Sequence, residues 1–122
     1  MSVSIPRNHY IVLLGMAGED AGFAAAQSMI RTGRGFTHPG DTVGTILCEA
    51  HRVDPILPSF AMMGFILGLR TALEDAGVVP PTFVEIMDAL PLALKGAYGD
   101  SANESMLLEL RHSVPEMYGS AI

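Results

Sequence analysis

The stretch from Asp54 to Arg70, DPILPSFAMMGFILGLR, carries no charge between its two ends. Pro55 to Leu69 is fifteen uncharged residues, and a helix crossing a bilayer needs about twenty. Pro58 and two glycines weaken that reading further. The spacing instead predicts a core helix over residues 59–76. Ser59 is its expected N-cap, since a hydroxyl there can accept from an unpaired N–H of the first turn. Gly77 is its expected C′ residue, and Val78-Val79-Pro80-Pro81 cannot continue it. A helix apolar on nearly every side must be enclosed by its own chain or by a partner.

Enclosing it is a demand on the remainder of the chain. A length of 122 residues predicts a single helical domain over residues 1–122, burying about two-thirds of the surface that its unfolded form exposes. Yet 49% of the residues are apolar and only 16% are charged, against about 25% in typical domains. One explanation is an Ala- and Gly-rich composition that inflates the apolar count. The other, favoured here, is a buried subunit interface, because permanent interfaces resemble a core cut in half. A homodimer or larger homo-oligomer is expected.

The other segments read as helices. Tyr10 to Leu14 is compatible with a strand or a helix turn, as short apolar runs are. The Phe23-Ala-Ala-Ala-Gln-Ser-Met-Ile run that follows is strongly helical, which favours one helix from Tyr10 to Arg31, with a break near Gly15–Gly18. Thr32 to Gly44 is a long irregular loop holding four of the thirteen glycines. A shorter helix runs from Asp41 or Thr42 to Val53 and stops before Pro55. Thr82 and Glu85 form a capping box for a fourth helix. Pro91 is expected to kink or restart it, and Gly96 and Gly99 to end it. Ser101 and Glu104 form a second box, opening a fifth helix from Ala102 to Val114 that Pro115 closes. In it Met106, Leu107, Leu110 and Val114 stand at helical spacing. The fold class is all-α: about five helices around residues 59–76.

Two features suggest packing devices. Gly64-x-x-x-Gly68 leaves a groove for a close backbone, and Ala17, Ala21, Gly22, Ala24 and Ala25 are small enough to face it. Eight methionines are many for this length; they fill gaps in cores and also line adaptable binding grooves. Gly64, Gly68, Met62 and Met63 are the interface candidates.

Chemistry is harder to find. The loop and its edges gather Arg31, Arg34, His38 and Asp41, with His51 and Arg52 at the far end of the next helix. Glycine-rich backbone and guanidinium forks can hold a phosphate or carboxylate. The spacing matches neither GxxxxGK[ST] nor GxGxxG, and arginines near a helix C-terminus are also simply favourable. Cys48 and His51 share a helix face, but structural zinc wants four ligands. Glu109-x-x-His112 has the spacing of di-iron helices without the required second copy. There is no GxSxG elbow. Glu19-Asp20 and Glu74-Asp75 read as solvated surface, and Glu85 with Asp88 have no basic partner in sequence range. No catalytic residue, metal or cofactor is assigned.

A net charge of −6 disfavours nucleic acid and anionic membranes, which need a basic footprint. One cysteine, and no visible secretory signal, suit a reducing, cytoplasmic setting. The expected function is a non-enzymatic protein–protein interaction module: a small acidic adaptor, inhibitor or assembly subunit. The alternative is a small-molecule binder or small enzyme gripping an anionic ligand at the 32–44 loop.

Overall fold

The computed structural model describes residues 7–94 and 100–118. They form five α-helices, and no strand is present among them: α1 (Arg7–Thr32), α2 (Asp41–Val53), α3 (Pro58–Asp75), α4 (Phe83–Leu94) and α5 (Asp100–Tyr118). The all-α bundle around the apolar middle helix is the observed architecture. Residues 10–14 are helical, and α1 runs unbroken through Gly15 and Gly18.

That continuity has a physical cause, because the glycines of α1 are held against α3. A Cβ on Gly18 would collide with the Ala61 carbonyl and one on Gly22 with the Phe65 carbonyl. From the other side, a Cβ on Gly64 would collide with the Gly15 carbonyl and one on Gly68 with the Glu19 carbonyl. Residue numbers rise together along the contact, so α1 and α3 run parallel, backbone to backbone. Cα–H groups facing carbonyl oxygens in this way add weak polar attraction to the packing. α2 is the return stroke between them.

The inner side of this pair carries the core. Met62, Phe65, Ile66, Leu69 and Leu73 of α3 are buried with Val43 and Leu47 of α2. Ile86, Met87 and Leu90 of α4 and Met106, Leu110 and Val114 of α5 close the cluster. Gly44 of α2 lies against the Ala93 carbonyl of α4, a second close approach that only glycine permits.

Several local expectations are corrected. Ser59 is not the N-cap of α3: Leu57 takes that place, with Pro58 at the first helical position. Ser59 is instead buried, 2.5 Å from the Ser113 hydroxyl of α5. Ser113 donates its proton to Glu109 O at 2.8 Å, so Ser59 is the donor between the two. Pro91 and Pro115 stop neither α4 nor α5. Pro91 removes a donor, but Ala93 and Leu94 beyond it are buried and hold the last turn in place. Gly96, Gly99 and the Ser101 side chain lie outside what is described.

Other signals behave as their chemistry dictates. Thr82 N donates to Glu85 Oε1 at 3.1 Å and Glu85 N to Thr82 Oγ1 at 3.2 Å, a reciprocal capping box. Gly77 takes φ +74, with Val78 N bonded to Leu73 O at 2.8 Å and Gly77 N to Glu74 O at 3.0 Å, a Schellman ending. Asp88 does find a cation, Arg111 of α5 at 3.1 Å. Glu19-Asp20 and Glu74-Asp75 sit within α1 and α3; Asp20, Glu74 and Asp75 are exposed, while Glu19 is half-buried against α3.

One further expectation is corrected in a way that bears on function. α3 is not enclosed on every side: Leu67 is 51% exposed, and Phe60 and Met63 are only half-buried.

Candidate functional site

The irregular loop is shorter than expected, spanning residues 33–40, because α2 begins at Asp41. It is held by its own hydrogen bonds. Gly33, at φ +68, donates to Met29 O at 2.9 Å. Thr32 Oγ1 donates to Ser28 O at 2.8 Å and accepts from Arg34 N at 3.4 Å. Gly40, at φ +95, donates to His38 Nδ1 at 2.9 Å. Accepting there places the proton of a neutral imidazole on Nε2, which lies 3.9 Å from the Asp41 carboxylate.

Of the six residues expected to grip an anion, only His38 and Asp41 are brought together. Arg31 stands exposed on the last turn of α1. Arg34 opens into a cleft of about 450 Å³ walled by Met29, Ile30, Phe36, Val78 and Val79. His38 opens into a different one, of about 530 Å³, whose floor is Ala17, Ala21, Ala24 and Ala25 and whose other titratable group is Asp20. A histidine facing one carboxylate, in a cleft whose other charged group is a second, is no anion grip. His51 and Arg52 lie at the other end of α2, roughly 15 Å from Asp41 at 1.5 Å per residue, and each already interacts within the molecule.

The remaining reactive groups are equally dispersed. Cys48 is buried, and burial pushes its thiol above the ordinary value; Arg52 pulls it down and Glu49 pushes it up by smaller amounts. A thiol so held is a poor nucleophile. Among the described residues no group of three or more His, Cys, Asp or Glu is arranged to hold a metal ion. His112 turns to Glu116, 3.5 Å away, rather than to Glu109.

The interface candidates divide. Gly64 and Gly68 are committed to α1, and Met62 is fully buried. Only Met63 keeps access to the surface. Of the small residues expected to face Gly64 and Gly68, Gly22 does meet α3, whereas Ala17, Ala24 and Ala25 line the His38 cleft.

Met63 belongs to a larger surface that the sequence reading missed. Helical residues turn by about 100° each. On that wheel Val12, Met16, Phe23 and Ile30 share the Glu19 side of α1, and Phe60, Met63, Leu67 and Thr71 share the Gly64 side of α3. Glu19 touches Gly64 and Gly68, so the two sides adjoin and form one outer face. Val12 and Met16 are each 58% exposed and Ile30 is 45% exposed, while Phe23 is half-buried. The signal was present: Met16, Phe23 and Ile30 recur every seven residues, as in a helix-packing seam. Gly18-x-x-x-Gly22 likewise repeats the spacing of Gly64-x-x-x-Gly68.

No described helix is long and apolar enough to cross a membrane. No protein-family model, curated protein or solved structure matches this chain.

Proposed function

We propose that this is a non-enzymatic interaction module, a small acidic helical adaptor, inhibitor or assembly subunit that works by binding protein and self-associates. The observation that carries the reading is the outer face of α1 and α3. Large apolar side chains stand in water there, next to a contact already tight enough to exclude any Cβ. Contiguous exposed apolar surface of this kind marks a binding face. Glu19 lies where the two sides adjoin, and the Arg70–Glu74 ion pair flanks Met63 and Leu67. With no unbalanced cation beside the apolar residues among the described residues, the surface suits a protein rather than nucleic acid or an anionic headgroup. The lone buried Cys48 suits a reducing compartment, which supports a cytoplasmic setting for such a module.

A photoreactive benzophenone side chain at position 67 tests this in cells. A discrete protein adduct from position 67, with none from position 108 on α5, is the expected result. Equal labelling from both positions, or none from 67, would refute it.

A second reading rests on the Arg34 cleft, an apolar trough whose charged lining is Arg34 and a Glu85 carboxylate already engaged by Thr82. Under it, small organic anions raise the melting temperature of the parent chain and Arg34→Ala abolishes the shift. An equal shift in the variant sinks it.

A further inference from the structure

We propose that the occupant of the outer α1–α3 face is a second copy of this chain, packed face to face about a two-fold axis with its helices antiparallel. The proposal rests on the reading of that face as the protein's binding surface, and it names the partner.

Size is the first argument. From Val12 to Ile30 is about 27 Å along α1, and two packed helices are about 20 Å across. A face-to-face pair therefore covers roughly 1,000 Å², the threshold for a specific interface. Composition is the second. Transient interfaces are no more apolar than ordinary surface, whereas homodimer interfaces are richer in apolar side chains, with Met and aromatics enriched and Lys and Glu depleted. Seven large apolar residues on these sides, Val12, Met16, Phe23, Ile30, Phe60, Met63 and Leu67, include two Met and two Phe, as in the second kind, with Glu19 and the Arg70–Glu74 pair as the charges beside them. Orientation is the third. α1 and α3 are parallel, so their macrodipoles add within one copy, and an antiparallel second copy opposes them.

This geometry fixes which residues meet. The axis crosses the middle of the face, where Leu67 meets Leu67 of the second copy. Val12 then meets Ile30 of the second copy and lies far from the other Val12. In a parallel pair α1 would cover α3 of the second copy, and the two Leu67 side chains would stand about one helix spacing apart, beyond disulfide reach.

Two measurements on the full chain test the proposal. Sedimentation equilibrium of the parent is expected to give twice 12.9 kDa. Leu67→Glu places two carboxylates at the axis and is expected to weaken the dimer by about 100-fold or more. Leu108→Glu, at a 71% exposed site on α5, is expected to leave it unchanged. Circular dichroism confirms that both variants keep their helices. Mild oxidation of Leu67→Cys is expected to give a covalent dimer, while Val12→Cys and the parent with its buried Cys48 stay uncrosslinked.

A 12.9 kDa particle at about 100 μM, where a micromolar interface would be nearly saturated, overturns the proposal. So does a dimer that Leu67→Glu leaves intact, and so does crosslinking at Val12 but not at Leu67. If photo-crosslinking from position 67 then yields only a different protein, self-pairing has failed and the binding-surface reading stands. If it yields nothing, both have failed.

Discussion

Gly64→Ala is a direct probe of the α1–α3 contact. The new methyl would overlap the Gly15 carbonyl, with its carbon at 2.9 Å and Glu19 N at 3.1 Å. These are backbone atoms, so no side chain can swing aside; the helices must separate. Overfilling a packed contact typically costs about 1–3 kcal/mol, and a backbone obstacle belongs at the upper end. Replacing glycine by alanine inside a helix returns about 0.5–1 kcal/mol. The net loss is about 1–2.5 kcal/mol. At about 2.1 cal/mol/K per residue, 122 residues give an unfolding entropy near 0.26 kcal/mol/K. The melting temperature is then expected to fall by about 4–10 °C. Gly15→Ala is the internal control, because a Cβ there has open space around it. It keeps the propensity gain without the collision and is expected to raise Tm by about 2–4 °C. Differential scanning calorimetry reads both. Two glycines on one contact give opposite signs if the backbone approach is real; a rise for Gly64→Ala matching that for Gly15→Ala would refute the reasoning.

Other outcomes follow from single features. Thr82→Ala removes half of the capping box and is expected to cost about 1 kcal/mol in urea melts, with the slope unchanged. Gly77→Ala forces a side chain into φ +74 and is expected to cost about 1 kcal/mol by the same assay. Cys48 is held above its ordinary value in the folded chain, so the unfolded chain loses its thiol proton first. Its contribution to stability is complete below the unfolded thiol value and is lost as pH rises through the folded one. Cys48→Ala is therefore expected to flatten the alkaline limb of a stability–pH curve; an unchanged limb would exclude the thiol as its source.

What the sequence made legible is what local chemistry decides alone. Thr82 with Glu85, and Gly77 before Val78, are caps whose partners lie within five residues, and both form as written. The core positions of α5 follow from periodicity in the same way. The glycines of α1 were harder to read. In isolation Gly15 and Gly18 look like a helix break, and only the α3 backbone opposite shows why the helix continues. Ser59 misled for a similar reason: a hydroxyl near a helix start reads as a cap until Ser113 of α5, fifty-four residues on, takes its proton. Pro91 and Pro115 carry local strain that predicts a stop; at Pro91 the burial of Ala93 and Leu94 overrides it. The loop cations were grouped by nearness in the chain, and a helix of 13 residues carries His51 and Arg52 away from them. The outer face needed the register between α1 and α3, which no one-dimensional pattern supplies.

The claim on which the functional account turns is that the outer α1–α3 face is buried against another copy of itself. An isotope-filtered NOE spectrum of a mixed sample, half labelled and half unlabelled, reports only contacts between copies. Cross-peaks from the methyl groups of Val12, Met16, Ile30 and Leu67 to the second copy are the predicted result. A filtered spectrum that is empty, or whose peaks arise from Leu108 and Val84 instead, would contradict it.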